Sequence, residues 1–201
     1  MSAYPVDFRV DFQADRSRLT TFFRYFLAIP HFIIAIVYGL GALLAVFVAW
    51  FALMITARYP EGLYNFVAGF VRWSGRLSAY LYLATDVYPP FGLGEEPDYP
   101  VHVTVGPPKE SYSRLKVFFR FLIGIPVMLI NYALSILAEV CALLAWFFIV
   151  ITGKQNEGLQ NGITLGVAYA TRATAYFLYL TEDWPPFSSD SDSALGPATT
   201  P

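Results

Sequence analysis

Hydrophobic and polar positions follow three successive rhythms along this chain, and the succession occurs twice. In the first, Val6, Phe8, Val10 and Phe12 alternate with Asp7, Arg9 and Asp11, the two-residue period of a strand with one apolar face. From Arg16 the period lengthens. Leu19, Phe22, Phe23 and Phe26 fall at helical spacing opposite Ser17, Thr20, Thr21 and Arg24, which predicts an amphipathic helix lying in a headgroup plane; the same residues also fit the wetted first turns of a spanning helix. The third rhythm is a run without polar positions. From residue 25 to residue 56, His31 is the one side chain able to carry a charge near neutral pH, and roughly 20 apolar residues suffice to cross a bilayer's hydrocarbon core. Pro30 predicts a bend, so the crossing is placed at residues 30–56.

Arg58-Tyr59-Pro60-Glu61-Gly62 then reads as a turn on proline and glycine chemistry. A second helix over residues 63–83 is long enough to return across the bilayer, although it holds Arg72 and Arg76, which are costly there unless paired or snorkelling. Thr85-Asp86-Val87-Tyr88-Pro89-Pro90-Phe91 closes the unit with an acidic, aromatic, proline-rich stop suited to the interface.

The second pass is a displaced copy of the first. Ser17-Arg18-Leu19 returns as Ser113-Arg114-Leu115, Phe22-Phe23-Arg24 as Phe118-Phe119-Arg120, and Ile29-Pro30 as Ile125-Pro126. Trp50-Phe51 returns as Trp146-Phe147, Glu61-Gly62-Leu63 as Glu157-Gly158-Leu159, and Pro89-Pro90-Phe91 as Pro185-Pro186-Phe187, always 96 residues on. The strand recurs as Val101, Val103 and Val105 at an offset of 95, so one residue was gained before Ser113. Residues 1–94 and 95–187 are therefore two membrane repeats, and residues 188–201, rich in serine, aspartate and proline, are expected to be a disordered tail. The two strands are expected to pair with each other outside the bilayer.

Composition strengthens the membrane reading, since 56% hydrophobic and 18% aromatic residues exceed globular usage. A net charge of −2 leaves no footprint for nucleic acid. The single cysteine, Cys141, permits no intramolecular disulfide or cysteine metal cluster. Residues 1–15 lack the pattern of a cleavable signal peptide, so the first apolar segment is expected to direct targeting. If each repeat is a helical hairpin, Arg9, Arg16, Arg18, Arg24, Lys109, Arg114, Lys116 and Arg120 share one side and the turns place only Arg58 and Lys154 on the other. By the positive-inside rule the N- and C-termini are cytoplasmic. The expected fold is mainly α and integral to the membrane: two tandem repeats, each a short strand, an amphipathic interfacial helix and a helical hairpin, four transmembrane helices in total.

The Tyr-Pro-Val strand, Ser-Arg-Leu with Phe-Phe-Arg, Ile-Pro, Trp-Phe, the Tyr59-Pro60-Glu61-Gly62-Leu63 turn, Arg72-Trp73-Ser74, Ala79-Tyr80 and Pro-Pro-Phe together resemble the bacterial membrane proteins of domain-of-unknown-function family 4389. The tandem form is similar to versions met in actinobacteria. The resemblance implies a bacterial plasma-membrane location and no particular activity. The second copy departs from the pattern, with Gln155-Asn156 in place of Tyr59-Pro60 and Ala168-Tyr169-Ala170 in place of Arg72-Trp73-Ser74.

Candidate chemistry within the apolar segments is sparse. Glu139 stands midway along residues 126–152, where a lone carboxylate is protonated or paired. In a hairpin turning near Gln155, Arg172 stands level with it at 1.5 Å per residue, so an intramembrane ion pair of Glu139 with Arg172, or with Arg76 across the repeats, is expected. The repeats would be related by an axis along the membrane normal. Arg18, Arg24, Arg72, Arg114, Lys116 and Arg120 are expected to contact anionic headgroups, and Asn131 and Tyr132 to extend a polar track, the alternative for Asn131 being a hydrogen bond that cross-links helices. His31 and His102 are separated and without clustered carboxylates, so no metal site is expected. No phosphate loop or hydrolase motif appears, no cofactor is implied, and Gly39-Leu40-Gly41 reads as helix-packing space. The sequence thus predicts a noncatalytic membrane protein, an accessory or scaffold subunit or a lipid-interacting component, partnered by the bilayer and by another membrane protein or its own copy. The alternative is a small transporter or channel using the Glu139 pathway.

Overall fold

Each rhythm becomes the element its period predicts. In chain order these are β1 (Val6–Val10), α1 (Arg18–Leu27), α2 (Ile29–Thr56), α3 (Glu61–Leu81), β2 (Val101–Val105), α4 (Arg114–Phe118), α5 (Arg120–Ile123), α6 (Ile125–Thr152) and α7 (Glu157–Phe177). The structure, a computed structural model, describes residues 4–187; the expected tail at 188–201 lies outside them. The mainly helical fold repeats one sequence of elements, with α4 and α5 together standing where α1 stands. Ala28 and Gly124 mark the bends, each just ahead of the proline of the following long helix.

β1 and β2 pair as expected, antiparallel, with Val6 opposite Val105, Phe8 opposite Val103 and Val10 opposite Val101. A two-stranded ribbon alone is marginal; here Val6, Phe8, Val101, Val103 and Val105 are buried beneath it. Its cover is α3 and α7, which run antiparallel. Tyr64 near the start of α3 reaches the Leu180 carbonyl beyond α7 at 3.5 Å, whereas Gln155, just before α7, donates to the Leu83 carbonyl beyond α3 at 3.0 Å. They meet at Gly75 and Thr171, with Val103 of the ribbon against the same glycine. Since Gly75 and Thr171 are equivalent positions, a two-fold axis passes between them and through the ribbon.

The layers follow from α3. It turns Gly75 and Ala79 to the ribbon, and Phe66 and Trp73, on roughly its opposite side at about 100° per residue, to Gly41, His31 and Tyr38 of α2. α2 is buried only along a narrow stripe that includes Ala42, Ala45, Ala49 and Leu53. Its outer arc, with Ile33, Ile36, Leu40, Leu44, Phe47 and Ile55 all more than half exposed, is apolar from end to end.

Two expectations are corrected. Among the described residues two helices, Ile29–Thr56 and Ile125–Thr152, are long and apolar enough to cross a membrane, not four. α3 and α7 hold arginines and are buried against protein along nearly their whole length. Nor do the two hairpin turns share a side. The Arg58–Pro60 turn lies by Leu178, through the Tyr59 hydroxyl at 3.4 Å, and Gln155 lies by Leu83, so the turns stand at opposite ends of the α3–α7 pair. The two-fold is perpendicular to these helices, and a hairpin turned about it points the other way.

Candidate functional site

The repeats interlock where each long helix ends. α2 stops at Ala57 and α6 at Gly153, both left-handed (φ 57° and 74°). The freed Ala57 carbonyl accepts from Tyr112 N at 2.8 Å and the Gly153 carbonyl from Arg16 N at 2.9 Å. Each amphipathic segment is thereby pinned to the other repeat. Asp86 accepts from Ser17 N, and Glu182 from Ser113 N, both at 2.7 Å. An acid of the closing motif so caps the helix start, where its charge also meets the positive end of the dipole.

α3 and α7 end alike. Leu83 and Tyr179 are left-handed (φ 66° and 63°), and Ala84 N returns to Ala79 O and Leu180 N to Ala175 O, the six-to-one bond that closes a helix. The carbonyls left over are buried and need donors. At the α3 end Arg24 supplies them to Tyr80 and, at 2.6 Å, to Thr85 while pairing with Asp86. Arg16 donates to Ala84 O and Gln160 Oε1, each at 2.8 Å, and Gln155 to Leu83 O at 3.0 Å. At the α7 end Arg120 donates to Thr181 O at 2.9 Å and lies over the rings of Tyr176 and Tyr179.

The positions equivalent to Arg16, Gln155 and Gln160 are Tyr112, Tyr59 and Tyr64, whose hydroxyls reach Leu180 O at 3.5 Å, Leu178 O at 3.4 Å and Gly106 O at 2.7 Å. Beside the arginine each end keeps, Arg24 or Arg120, these three positions supply a guanidinium and two amides at one end and three phenols at the other. Burial pushes all three phenols above the ordinary tyrosine value, with neighbouring phenols adding to this at Tyr59 and Tyr64. The unfolded chain ionises from about pH 10 while the folded one keeps its protons, so stability falls as pH rises. Melting temperature in detergent is expected to be flat from about pH 7 to 9 and to drop above about pH 10, together with tyrosinate absorbance. Tyr112→Phe should reduce that drop; an unchanged profile would remove the phenols as its cause.

The expected site residues do not assemble. Arg76 is buried and donates to Gly92 O at 2.6 Å and Gly94 O at 2.8 Å; Arg172 donates from Nε to Val6 O at 3.3 Å under the ribbon. Glu139 is exposed on α6 and lines a crevice with Tyr82. The expected level was wrong by two turns, since Gly162 packs on Cys141 and Gly166 on Leu134 and Ala138, which puts Arg172 at about the level of Asn131. Lys154–Asn156 is the reason. Lys154 bridges to Asp15 and Gln155 N bonds Ala14 O, so the chain doubles back extended, at about 3.3 Å per residue, before α7 begins.

Of the expected headgroup contacts, Arg18, Arg114 and Lys116 are exposed. Arg24 and Arg120, each 1% exposed, are corrections, drawn inward by unsatisfied carbonyls. Arg72 is half-buried and 4.0 Å from Glu95. His31 is wholly buried, with Nε2 3.0 Å from Pro89 O and its ring stacked on Phe91, and His102 faces Asp11 at 3.6 Å. Among the described residues no group of three His, Cys, Asp or Glu side chains is placed to hold a metal ion. The site missed in the sequence is an open crevice of about 690 Å3 between α1 and α6, lined by Arg24, Tyr25, Tyr82, Glu139, Leu143 and Trp146 among others. Its signal was the one repeat position where Leu43 becomes Glu139.

No curated protein matches the chain. No solved structure matches it either. The profile of a domain of unknown function, DUF4389, matches residues 18–92 and again 114–189, the two segments that the two-fold axis exchanges, and the chain belongs to that family.

Proposed function

We propose that this protein is a noncatalytic lipid-interacting component of the bacterial plasma membrane, serving as an accessory or scaffold subunit with both termini on the cytoplasmic side. The carrying observation is the apolar outer arc of α2, repeated on α6 by Leu129, Val140, Leu144, Phe147 and Ile151 and continued on α1 and α4 by Leu19, Phe22, Leu115 and Phe118. An exposed apolar surface of this extent marks a membrane or protein contact. The buried polar side chains support the same reading, because Arg16, Arg24, Arg76, Arg120 and Gln155 are spent on backbone carbonyls. A four-crossing arrangement has less support, since α3 and α7 would carry their arginines through the bilayer. Transport through Glu139 and the arginines loses its path, because Glu139 opens on the α1–α6 crevice whereas Arg76 closes on the Gly92–Gly94 loop.

The chain is expected to stay in the membrane pellet through alkaline carbonate washing, to leave it only in detergent and to carry anionic phospholipid with it. Liposomes holding wild type or Glu139→Gln should show the same ion leak. Recovery in the soluble fraction, or a flux abolished by Glu139→Gln, would overturn the reading.

A further inference from the structure

The two-fold axis restricts how the molecule can meet a bilayer. It leaves the protein through the ribbon, at the point where α3 and α7 meet, because Val103 sits against Gly75 and Phe8 is its partner in the ladder. Suppose the helices stood upright in the membrane. The axis would then lie in the membrane plane and the ribbon would occupy mid-depth.

The outer face of the ribbon forbids this. Asp7 and Arg9 pair at 2.7 Å with side chains 32% and 47% exposed, and Asp11, 65% exposed, faces His102, 39% exposed. Glu95, 64% exposed, lies beside Arg72 on the flank. Each charge held at the bilayer centre is costly and pairs inward or faces a water-filled cavity; these point outward. Turning the axis onto the membrane normal puts all of them in water. It also puts α2 and α6, the layer beneath α3 and α7, against the acyl chains along their whole length.

Resting on the membrane reading above, we infer that the protein is monotopic: it occupies a single leaflet, with α2 and α6 in the membrane plane, the ribbon facing the cytoplasm, and Arg18, Arg114 and Lys116 at the level of anionic headgroups. The amphipathic segments fit this placement. α1 turns Leu19, Phe22 and Phe26 outward, and α4 with α5 turn out Leu115, Phe118 and Leu122, while Arg18, Arg114 and Lys116 stay exposed beside them. Arg114 also donates to Ile55 O at 2.8 Å and Arg18 lies against Gly153, so each cation stands where an apolar long helix ends. Apolar area together with basic charge is the combination that holds an in-plane helix on an anionic surface. The ends of the two long helices, opposite in an upright molecule, come to the same face of the membrane in this one.

Single cysteines at Arg58, Lys154 and His102 in a Cys141→Ala background separate the arrangements. All three natural side chains are solvent-accessible, so none of these changes opens the core. A membrane-impermeant maleimide is expected to label all three in inside-out vesicles and none in right-side-out spheroplasts. Labelling of Arg58→Cys and Lys154→Cys from opposite sides, with His102→Cys reached from neither, overturns the single-leaflet placement while leaving membrane residence intact. Recovery of all three variants and the parent in the soluble fraction would instead remove the membrane reading itself. A second measurement uses liposomes: binding of the purified protein should fall at least tenfold when phosphatidylglycerol is replaced by phosphatidylcholine, and Arg18→Glu with Lys116→Glu should cause a comparable loss. Equal binding to both lipids overturns the headgroup assignment.

Discussion

Arg24→Ala is expected to destabilise the protein by about 3–5 kcal/mol, the loss that follows when one member of a buried ion pair is removed. The side chain is 1% exposed, its guanidinium bonds the Tyr80 and Thr85 carbonyls, and its other arm holds Asp86. Removing it leaves a carboxylate without its cation and takes one donor from each of two carbonyls, of which Tyr80 O keeps Leu83 N at 3.1 Å and Thr85 O loses its Arg24 donor, with the desolvation cost that follows. Asp86 also caps α1 through Ser17, so the damage spreads to the start of that helix.

Repeat two supplies the internal control. Arg120 donates to the Thr181 carbonyl and rests on two tyrosine rings, while Glu182 keeps Ser113 N and lies 3.9 Å from Lys109. Arg120→Ala should therefore cost less, about 1–3 kcal/mol, and Arg18→Ala, on the surface, within about 0.5 kcal/mol. Thermal unfolding in one detergent ranks the three variants. An Arg24→Ala protein that melts with Arg18→Ala would show that the buried pair carries no stability.

The elements themselves were legible because each expresses a local period. The ribbon, both long helices and both return helices stand within two residues or so of their expected starts, and the pairing of β1 with β2 follows from duplication. The relation between the repeats was not legible, for a physical reason. Two copies of one hairpin can associate with parallel or antiparallel axes, and hydropathy is blind to the difference; the choice lies in which polar groups meet. Arg16 and Gln155 converge from two repeats on the carbonyls of a third segment, with Gln160 accepting from Arg16, and the counterparts Tyr112, Tyr59 and Tyr64 reach carbonyls at the other end.

The carbonyl partners of Arg24, Arg76 and Arg120 were hidden for a related reason. A search for intramembrane charge looks for a carboxylate partner, whereas these guanidinium groups are satisfied largely by backbone carbonyls, which every residue carries. The level of Glu139 failed because three extended residues cover about the length of a helical stretch twice as long. The segments expected to lie against headgroups are amphipathic, but of their cations only Arg18, Arg114 and Lys116 face outward.

Gly166→Val is expected to force α6 and α7 apart, at a cost toward the upper end of the roughly 1–3 kcal/mol of overpacked sites. Gly162 and Gly166 stand one helical turn apart on α7, the small-residue spacing that lets backbones approach. A Cβ on Gly166 would come within 2.5 Å of the Leu134 carbonyl oxygen and 2.6 Å of Ala138 Cβ; the first is backbone and cannot rotate away. Repeat one solves the same contact in reverse, with Phe66 and Phe70 at the equivalent positions of α3 and Gly41 of α2 receiving the Phe66 ring. Gly62→Ala, where nothing lies within 4 Å, should instead be neutral or stabilising by up to about 1 kcal/mol through helix propensity. Cys141 gives a second readout, since its sulfur packs on Gly162: Gly166→Val should both lower the melting temperature and speed maleimide modification of Cys141. A variant that melts like the parent and leaves Cys141 as slow to react would mean that α6 and α7 are not held at that distance, and the close glycine contact would have to be abandoned.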